Sequence, residues 1–341
     1  MGLFQKNKKK ALRSMHTDLF PFSLLGRLKL FYKIKYKVPL DFPRQFWIEI
    51  TNECNLRCLM CPVSVGLQRK KTTMALADFV KIIDQIYMAK PRIMLHVAGE
   101  PLLNKDLFKM IDYAKNKGCW VGIHTNAVLL TEEMSVRVLE SSLDSISFSF
   151  DGCTPEVYEK VRVGAKFEQV RSQIETFLKL RSERKSSIPF TRIEILIMQE
   201  TKMQISDFVE YWQAKEVDSV GSKLAGTWVG LVGSSDSKKM WRFGHRPCRD
   251  IFHKCAILVD GTVVPCCNDI QGKLPLGNIL YQSFEEIWQG QQYDNLREKH
   301  LKNTIPEKMI CHKCGFRRSW SRSEQITQWL LKQFLWRKGS I

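Results

Sequence analysis

Phe46-Trp47-Ile48-Glu49-Ile50-Thr51-Asn52-Glu53-Cys54-Asn55-Leu56-Arg57-Cys58-Leu59-Met60-Cys61-Pro62 decides the fold. Its first six residues, Glu49 apart, are aromatic or β-branched, which reads as a strand. The strand runs out in Asn52-Glu53 and opens a loop with three thiols inside eight residues. Thiolates are soft ligands that suit zinc or iron–sulfur clusters. A structural zinc site wants four protein ligands, and so does a ferredoxin cluster. Three close thiols without an adjacent fourth leave one metal vertex open, and an open vertex is a reaction position.

Downstream the same strand signature recurs at Met94–Gly99, Trp120–Asn126, Ser145–Asp151, Thr191–Met198 and Val217–Ala225. Helical patterns near 75–89, 104–117, 131–141, 167–184 and 203–215 separate these runs. Strand and helix in alternation predict a parallel sheet with crossover helices, here an α/β fold of the partial (β/α)6 TIM-like barrel type over 46–226. In such folds chemistry collects at the C-terminal ends of the strands. The polar clusters fall there: the cysteine loop after run one, Ala98-Gly99-Glu100-Pro101 after run two, His124-Thr125-Asn126 after run three, and Ser149-Phe150-Asp151-Gly152 after run four.

Residues 227–247 are Gly/Ser/Lys-rich and read as a linker to a small cysteine-rich unit over 248–316. Asp260-Gly261 between apolar runs is a tight-turn signal that brings Cys248 and Cys266 together across two strands. The distant Cys311-His312-Lys313-Cys314 can then close a four-thiolate site, of iron–sulfur or of zinc. Cys267 competes with Cys266 for one position. Cys119, Cys153 and Cys255 read as buried small hydrophobes, and His96, His124 and His312 as packed histidines.

The composition is that of an ordinary globular protein, 44% hydrophobic and 26% charged. No run of 18 apolar residues is present, and the basic opening lacks a signal peptide's apolar segment, so the expected location is the cytoplasm. In a reducing compartment eleven cysteines read as ligands rather than as disulfides. The formal charge of +18 is concentrated at the ends: residues 1–45 carry a net +9 and residues 317–341 a net +5. Apolar and basic residues alternate at helical spacing within 20–36 and 323–338, which suits docking on an anionic membrane surface at the inner face of the membrane. Packing of both stretches on the barrel is the competing expectation, and nucleic-acid binding is the least favoured.

Taken in order and spacing, these motifs resemble the radical S-adenosylmethionine superfamily, with a C-x3-C-x2-C loop after the first strand, a Gly-Gly-Glu-Pro-like motif after the second and a Thr-Asn-Gly-like end to the third. The second unit resembles the SPASM or shortened Twitch auxiliary-cluster domain, whose opening pattern Cys248, Gly261 and Cys266 match. The resemblance implies a catalytic 4Fe-4S cluster on Cys54, Cys58 and Cys61, S-adenosyl-L-methionine on its open iron, and one auxiliary 4Fe-4S cluster on Cys248, Cys266, Cys311 and Cys314. It implies that Gly99 and Glu100 line the methionine amino group and that Ser149 and Arg162 approach its carboxylate. Met60 takes a position near adenine that is usually aromatic, and Asn126 and Asp151 face the ribose or support the loop. Ala98 and Ala127 stand where the superfamily commonly has glycine.

The chemistry so implied is reductive cleavage of S-adenosylmethionine to a 5′-deoxyadenosyl radical, which abstracts a hydrogen atom from substrate. A single auxiliary cluster resembles the arrangement of enzymes that oxidise a secondary alcohol, so the expected substrate is a sugar-like or other small hydroxylated molecule. Asp269 is the candidate base for its hydroxyl proton. An external electron donor such as flavodoxin or ferredoxin is the expected partner. The alternatives are a maturase of ribosomally made peptides, forming a cross-link or an epimer, and a noncatalytic iron–sulfur or zinc-binding module.

Overall fold

The computed structural model describes residues 41–226, 228–232, 248 and 250–314. The basic stretches at 20–36 and 323–338 and most of the 227–247 linker lie outside the described residues.

Six strands run parallel, each paired with the one before it: β1 (Gln45–Ile48), β2 (Arg92–Met94), β3 (Trp120–Thr125), β4 (Ser145–Ser149), β5 (Phe190–Ile197) and β6 (Ser219–Leu224). Between them the chain returns through α1 (Leu76–Ile86), α2 (Leu107–Asn116), α3 (Glu132–Glu140), α4 (Pro155–Val161), α5 (Phe167–Glu183) and α6 (Ile205–Gln213). This is the expected open barrel of α/β type. Side chains alternate across a strand, and one set faces the helices: Ile93, Val121, Ile123, Ile146, Phe148 and Ile193 are at most 1% exposed. On α1 the answering residues Phe79, Ile82, Ile83 and Ile86 are buried at helical spacing. Each such side chain contributes about 1.5–3 kcal/mol on leaving water.

The sheet continues beyond β1. Strand β7 (Lys254–Ile257) pairs parallel with β1 in the register Gln45↔Lys254 to Ile48↔Ile257. Strands β8 (Thr262–Val264) and β9 (Gly277–Asn278) then add antiparallel. The cysteine-rich unit is therefore built onto the barrel's own edge and shares its main core through Cys255, Ile257 and Val263. The Asp260-Gly261 turn forms as expected, with Gly261 at φ +81°. Two helices close this unit, α7 (Phe284–Trp288), started by a Ser283–Glu286 capping box, and α8 (Gln291–Lys302).

Two differences from the sequence reading have physical causes. Helix α4 has only seven residues, too few to show a period, and starts on Pro155. Strand β2 stops at Met94, five residues short of the expected end, because the chain turns toward the cysteine loop. There Gly99 sits at φ +76°, and a Cβ on it would meet the Thr51 carbonyl oxygen at 2.5 Å and that of Glu53 at 2.7 Å.

Candidate metal and cofactor centre

The cysteine loop is held by backbone as much as by side chains. Arg57 N–H donates to the Val163 carbonyl at 2.9 Å and Leu59 N–H to the Val161 carbonyl at 3.0 Å, so the end of α4 anchors it. Glu100 N–H donates to the Glu53 carbonyl at 2.8 Å, which pins the loop's start to the end of β2. Three N–H groups point at thiol sulfurs. Leu56 N–H lies 3.5 Å and Asn126 Nδ2 3.8 Å from Cys54 Sγ, and Arg162 Nη1 lies 3.8 Å from Cys58 Sγ. Such donors stabilise thiolates and hold their orientation.

The thiols of Cys54, Cys58 and Cys61 feel one another's charge, and Glu100 and Arg162 act on Cys54 as well. Burial pushes the Cys54 thiol up, and the Cys61 thiol to about 11. Cluster binding must therefore drive proton release from them. Among the described residues no three His, Cys, Asp or Glu side chains converge tightly enough for one metal ion. A four-iron cube places each thiolate on its own iron and needs no such convergence. All three donors of the loop are sulfur, the ligand type such a cluster takes.

The residues expected around S-adenosylmethionine divide into two groups. Glu100 is 2% exposed, and its carboxylate accepts from Leu102 N–H at 3.2 Å, Thr125 Oγ1 at 2.7 Å and Asn126 N–H at 2.8 Å. It straps β2 to β3 directly beneath the loop, and burial raises its pKa. Asn126 donates through Nδ2 to Asn55 Oδ1 at 2.8 Å, so it supports the loop. Asp151 accepts from Leu196 N–H at 2.6 Å and from Arg162 Nε at 2.7 Å, and Arg162 Nη2 closes the same ion pair. Burial works against the Arg162 charge, but Asp151 and Cys58 more than offset it and the guanidinium stays protonated. Met60 and Ser149 remain half-buried, the first on the loop and the second at the end of β4.

Of the two departures from glycine, Ala98 has no positive φ, whereas Ala127 adopts φ +59°. Only Ala127 occupies a conformation that favours glycine.

In the second unit Cys266 lies within electrostatic reach of Cys248, Cys311 and Cys314, and Cys248 within reach of Cys311 and Cys314. Cys267 instead feels Asp250, Lys254 and Lys223, and packs with Val63, Val264 and Ile270. Cys267 also acts on Cys266, but so do the other three thiols, and the surroundings of Cys266 fit the four-thiolate role. His300 Nδ1 accepts from Cys248 N–H at 3.1 Å, a support invisible in the sequence because α8 carries no motif.

Asp269 requires a correction. It is 2% exposed, and its carboxylate accepts from Lys273 N–H and Leu274 N–H, both at 2.8 Å. Asp269 closes the turn after β8 and does not have the open, substrate-facing oxygen that a base needs. Sequence reading also passed over Glu49. Fully buried just past β1, its carboxylate accepts from Ala98 N–H, Val259 N–H and Arg69, while Arg69 also donates to the Ile270 carbonyl. A lone acid in an apolar strand was the available signal.

A loop with three thiols at the mouth of an open parallel barrel, backed by a four-thiol unit on the same sheet, defines an iron–sulfur protein with one reactive metal vertex. Residues 48–211 match the family described as the Radical SAM superfamily, and residues 248–315 match SPASM, described as an iron-sulfur cluster-binding domain. The chain belongs to the radical S-adenosylmethionine superfamily, with a SPASM-type C-terminal unit, and its cofactors are S-adenosylmethionine and 4Fe-4S clusters. It is 25% identical over 296 residues to a tungsten-containing aldehyde ferredoxin oxidoreductase cofactor-modifying protein of Pyrococcus furiosus, covering 73% of this chain and 82% of that one. It is 26% identical to the mycofactocin maturase MftC of Mycolicibacterium smegmatis over 50% of this chain, and spans only 41% of that relative. Among solved structures, BtrN in complex with AdoMet and 2-DOIA shares the fold at a TM-score of 0.54 and 19% identity, with 80% of this chain and 93% of that one covered. No helix among the described residues is long and apolar enough to cross a membrane.

Proposed function

We propose that this radical S-adenosylmethionine enzyme is an oxidoreductase that takes a carbon-bound hydrogen atom and an electron from a small hydroxylated substrate, whose hydroxyl proton passes to solvent. On this reading residues 46–226 are the catalytic barrel and 248–316 the auxiliary-cluster unit. Cys54, Cys58 and Cys61 hold the catalytic cluster, and Cys248, Cys266, Cys311 and Cys314 hold a single auxiliary one. The supporting observation is the mutual reach of those four thiols in a unit built onto the barrel's own sheet. A second cluster so joined is suited to accept the electron left on substrate after hydrogen abstraction.

The cluster with S-adenosylmethionine supplies the hydrogen-abstracting radical when both are bound. The protein's residues do the rest. Arg162 and Asn126 steady the loop thiolates by N–H···S contacts. Glu100 fixes the segment after β2 against the end of β3, so that the Gly99 backbone would face the methionine amino group when S-adenosylmethionine is bound, and Arg162 with Ser149 would meet its carboxylate. An external donor such as flavodoxin or ferredoxin delivers the priming electron.

Anaerobic reconstitution tests this. About eight irons per chain are expected from two four-iron clusters, and a hydroxylated substrate should raise 5′-deoxyadenosine formation with one two-electron-oxidised product per turnover. Zinc in place of iron and sulfide would end the reading, and 5′-deoxyadenosine without oxidised product would end its dehydrogenase part. The likeness to mycofactocin maturase supports a second reading, maturation of a ribosomally made peptide. In that case a precursor peptide, and no small alcohol, should stimulate turnover.

A further inference from the structure

The face of the sheet turned away from the helices carries a polar row that the cofactor site does not use. His96 and His124 stack with ring centroids 4.2 Å apart and planes at 24°. In register His124 lies beside Ser147 on β4, and Ser147 beside Arg192 on β5. Strands β3, β4 and β5 and the segment that follows β2 thus present one continuous level of hydrogen-bonding side chains. On β4 and β3 the next residues on this face are Ser149 and Asn126, so the row lies one step, about 7 Å along a strand, below the proposed S-adenosylmethionine position.

Three atoms of this row are buried without a partner: His96 Nδ1, Ser147 Oγ and Arg192 Nε. Ser147 as a whole is only 3% exposed. A buried polar atom left unpaired is destabilising, so three of them along one row call for a ligand. The local charge is positive. Arg192 Nη2 and Lys223 Nζ share the single carboxylate of Glu194, at 2.7 and 2.8 Å. Gly221 lies beside Glu194 in register, within ordinary contact distance of the Arg192 guanidinium. Both imidazoles are kept neutral, chiefly by burial, His96 also by His124 and Lys223 and His124 also by Lys223 and Arg192, so their ring nitrogens can accept as well as donate. The flank on the side of β1, β7 and β8 is apolar, with Trp47, Leu258, Val264 and Ile270 in one cluster that also touches Cys54 and Cys61.

We infer that this row is the substrate subsite and that the hydroxylated substrate carries an oxyanion group, a carboxylate or a phosphate. Ser147 Oγ and Arg192 Nε donate to the oxyanion, Lys223 adds charge, and His96 Nδ1 takes a substrate hydroxyl. The apolar flank covers the carbon skeleton. A cationic aminosugar meets two like charges here and is disfavoured. The inference rests on the proposed function for the identity of the site as catalytic, but its binding chemistry is measured separately.

The test is equilibrium binding to the reconstituted holoenzyme with S-adenosylmethionine, using galacturonate, glucose 6-phosphate, glucose and glucosamine as probes. Galacturonate or glucose 6-phosphate should bind at least about tenfold more tightly than glucose, one charge-assisted hydrogen bond's worth, and the preferred one identifies the oxyanion. Arg192→Gln and Ser147→Ala should each erase that preference, and Arg192→Lys should restore part of it, with circular dichroism reporting the fold. Equal binding of all four probes, glucosamine in the lead, or variants that leave the preference intact would overturn the inference. So would binding of an acidic peptide alone. Iron content and 5′-deoxyadenosine formation without any probe report on the proposed function itself, so the two failures are read apart.

Discussion

Ala127 shows that a small departure from a motif's glycine can strain the backbone. Its φ of +59° costs an L-residue about 1–2 kcal/mol that glycine does not incur. Ala127→Gly should therefore raise the unfolding midpoint by a few degrees in a thermal melt, less whatever the greater chain entropy of glycine takes back. The neutral histidines give a pH signature. Burial first, then Lys223 and Arg192, hold the His124 pKa down to about 3 from 6.5. The unfolded chain takes up a proton below 6.5 that the folded one refuses, so this contribution is full above 6.5 and is lost as pH falls toward 3. Between pH 7 and 5 the stability that wild type holds over His124→Gln should shrink by about 2 kcal/mol in urea titrations. Asp269 supplies a third check at this scale. Asp269→Asn should keep turnover within a few-fold of wild type in a 5′-deoxyadenosine assay, whereas loss of a general base costs about 10²–10⁴.

At the scale of elements, Asp151 is the joint. It takes one hydrogen bond from β5 through Leu196 and holds Arg162 at the end of α4, which in turn reaches Cys58. Asp151→Asn strips a buried guanidinium of its counter-charge, and a loss of about 3–5 kcal/mol is expected by chemical denaturation. The elements themselves were legible to different degrees. Runs with strong periodicity, such as α1 and α5, fall within a few residues of their expected bounds. Helix α8 is polar along most of its length, and what it buries includes Arg297 and His300 rather than an apolar stripe. No hydrophobic period marks such a helix, so only packing shows it. The early end of β2 was equally hidden, because Val97 and Ala98 suit a strand and only the approach of Gly99 to Thr51 and Glu53 draws the chain away.

Across the whole molecule, one sheet joins the two cysteine sets. Glu49 and Arg69 tie β1, the Ala98 turn and the segment after β7 into a single unit. Iron counting exploits the different surroundings of Cys266 and Cys267. Cys266→Ser should lower the reconstituted iron from about eight toward about four per chain, and Cys267→Ser should leave it unchanged. By itself the sequence determined the alternation of strand and helix, the three-thiol loop and the Asp260-Gly261 turn. Each of these depends on local periodicity, spacing or turn chemistry, which neighbouring residues carry. Only the tertiary structure decided that Asp269 closes a turn and that His96, His124, Ser147 and Arg192 stand in one row. Those facts depend on strand register and on the direction of side chains far apart in the chain, and no local pattern encodes either.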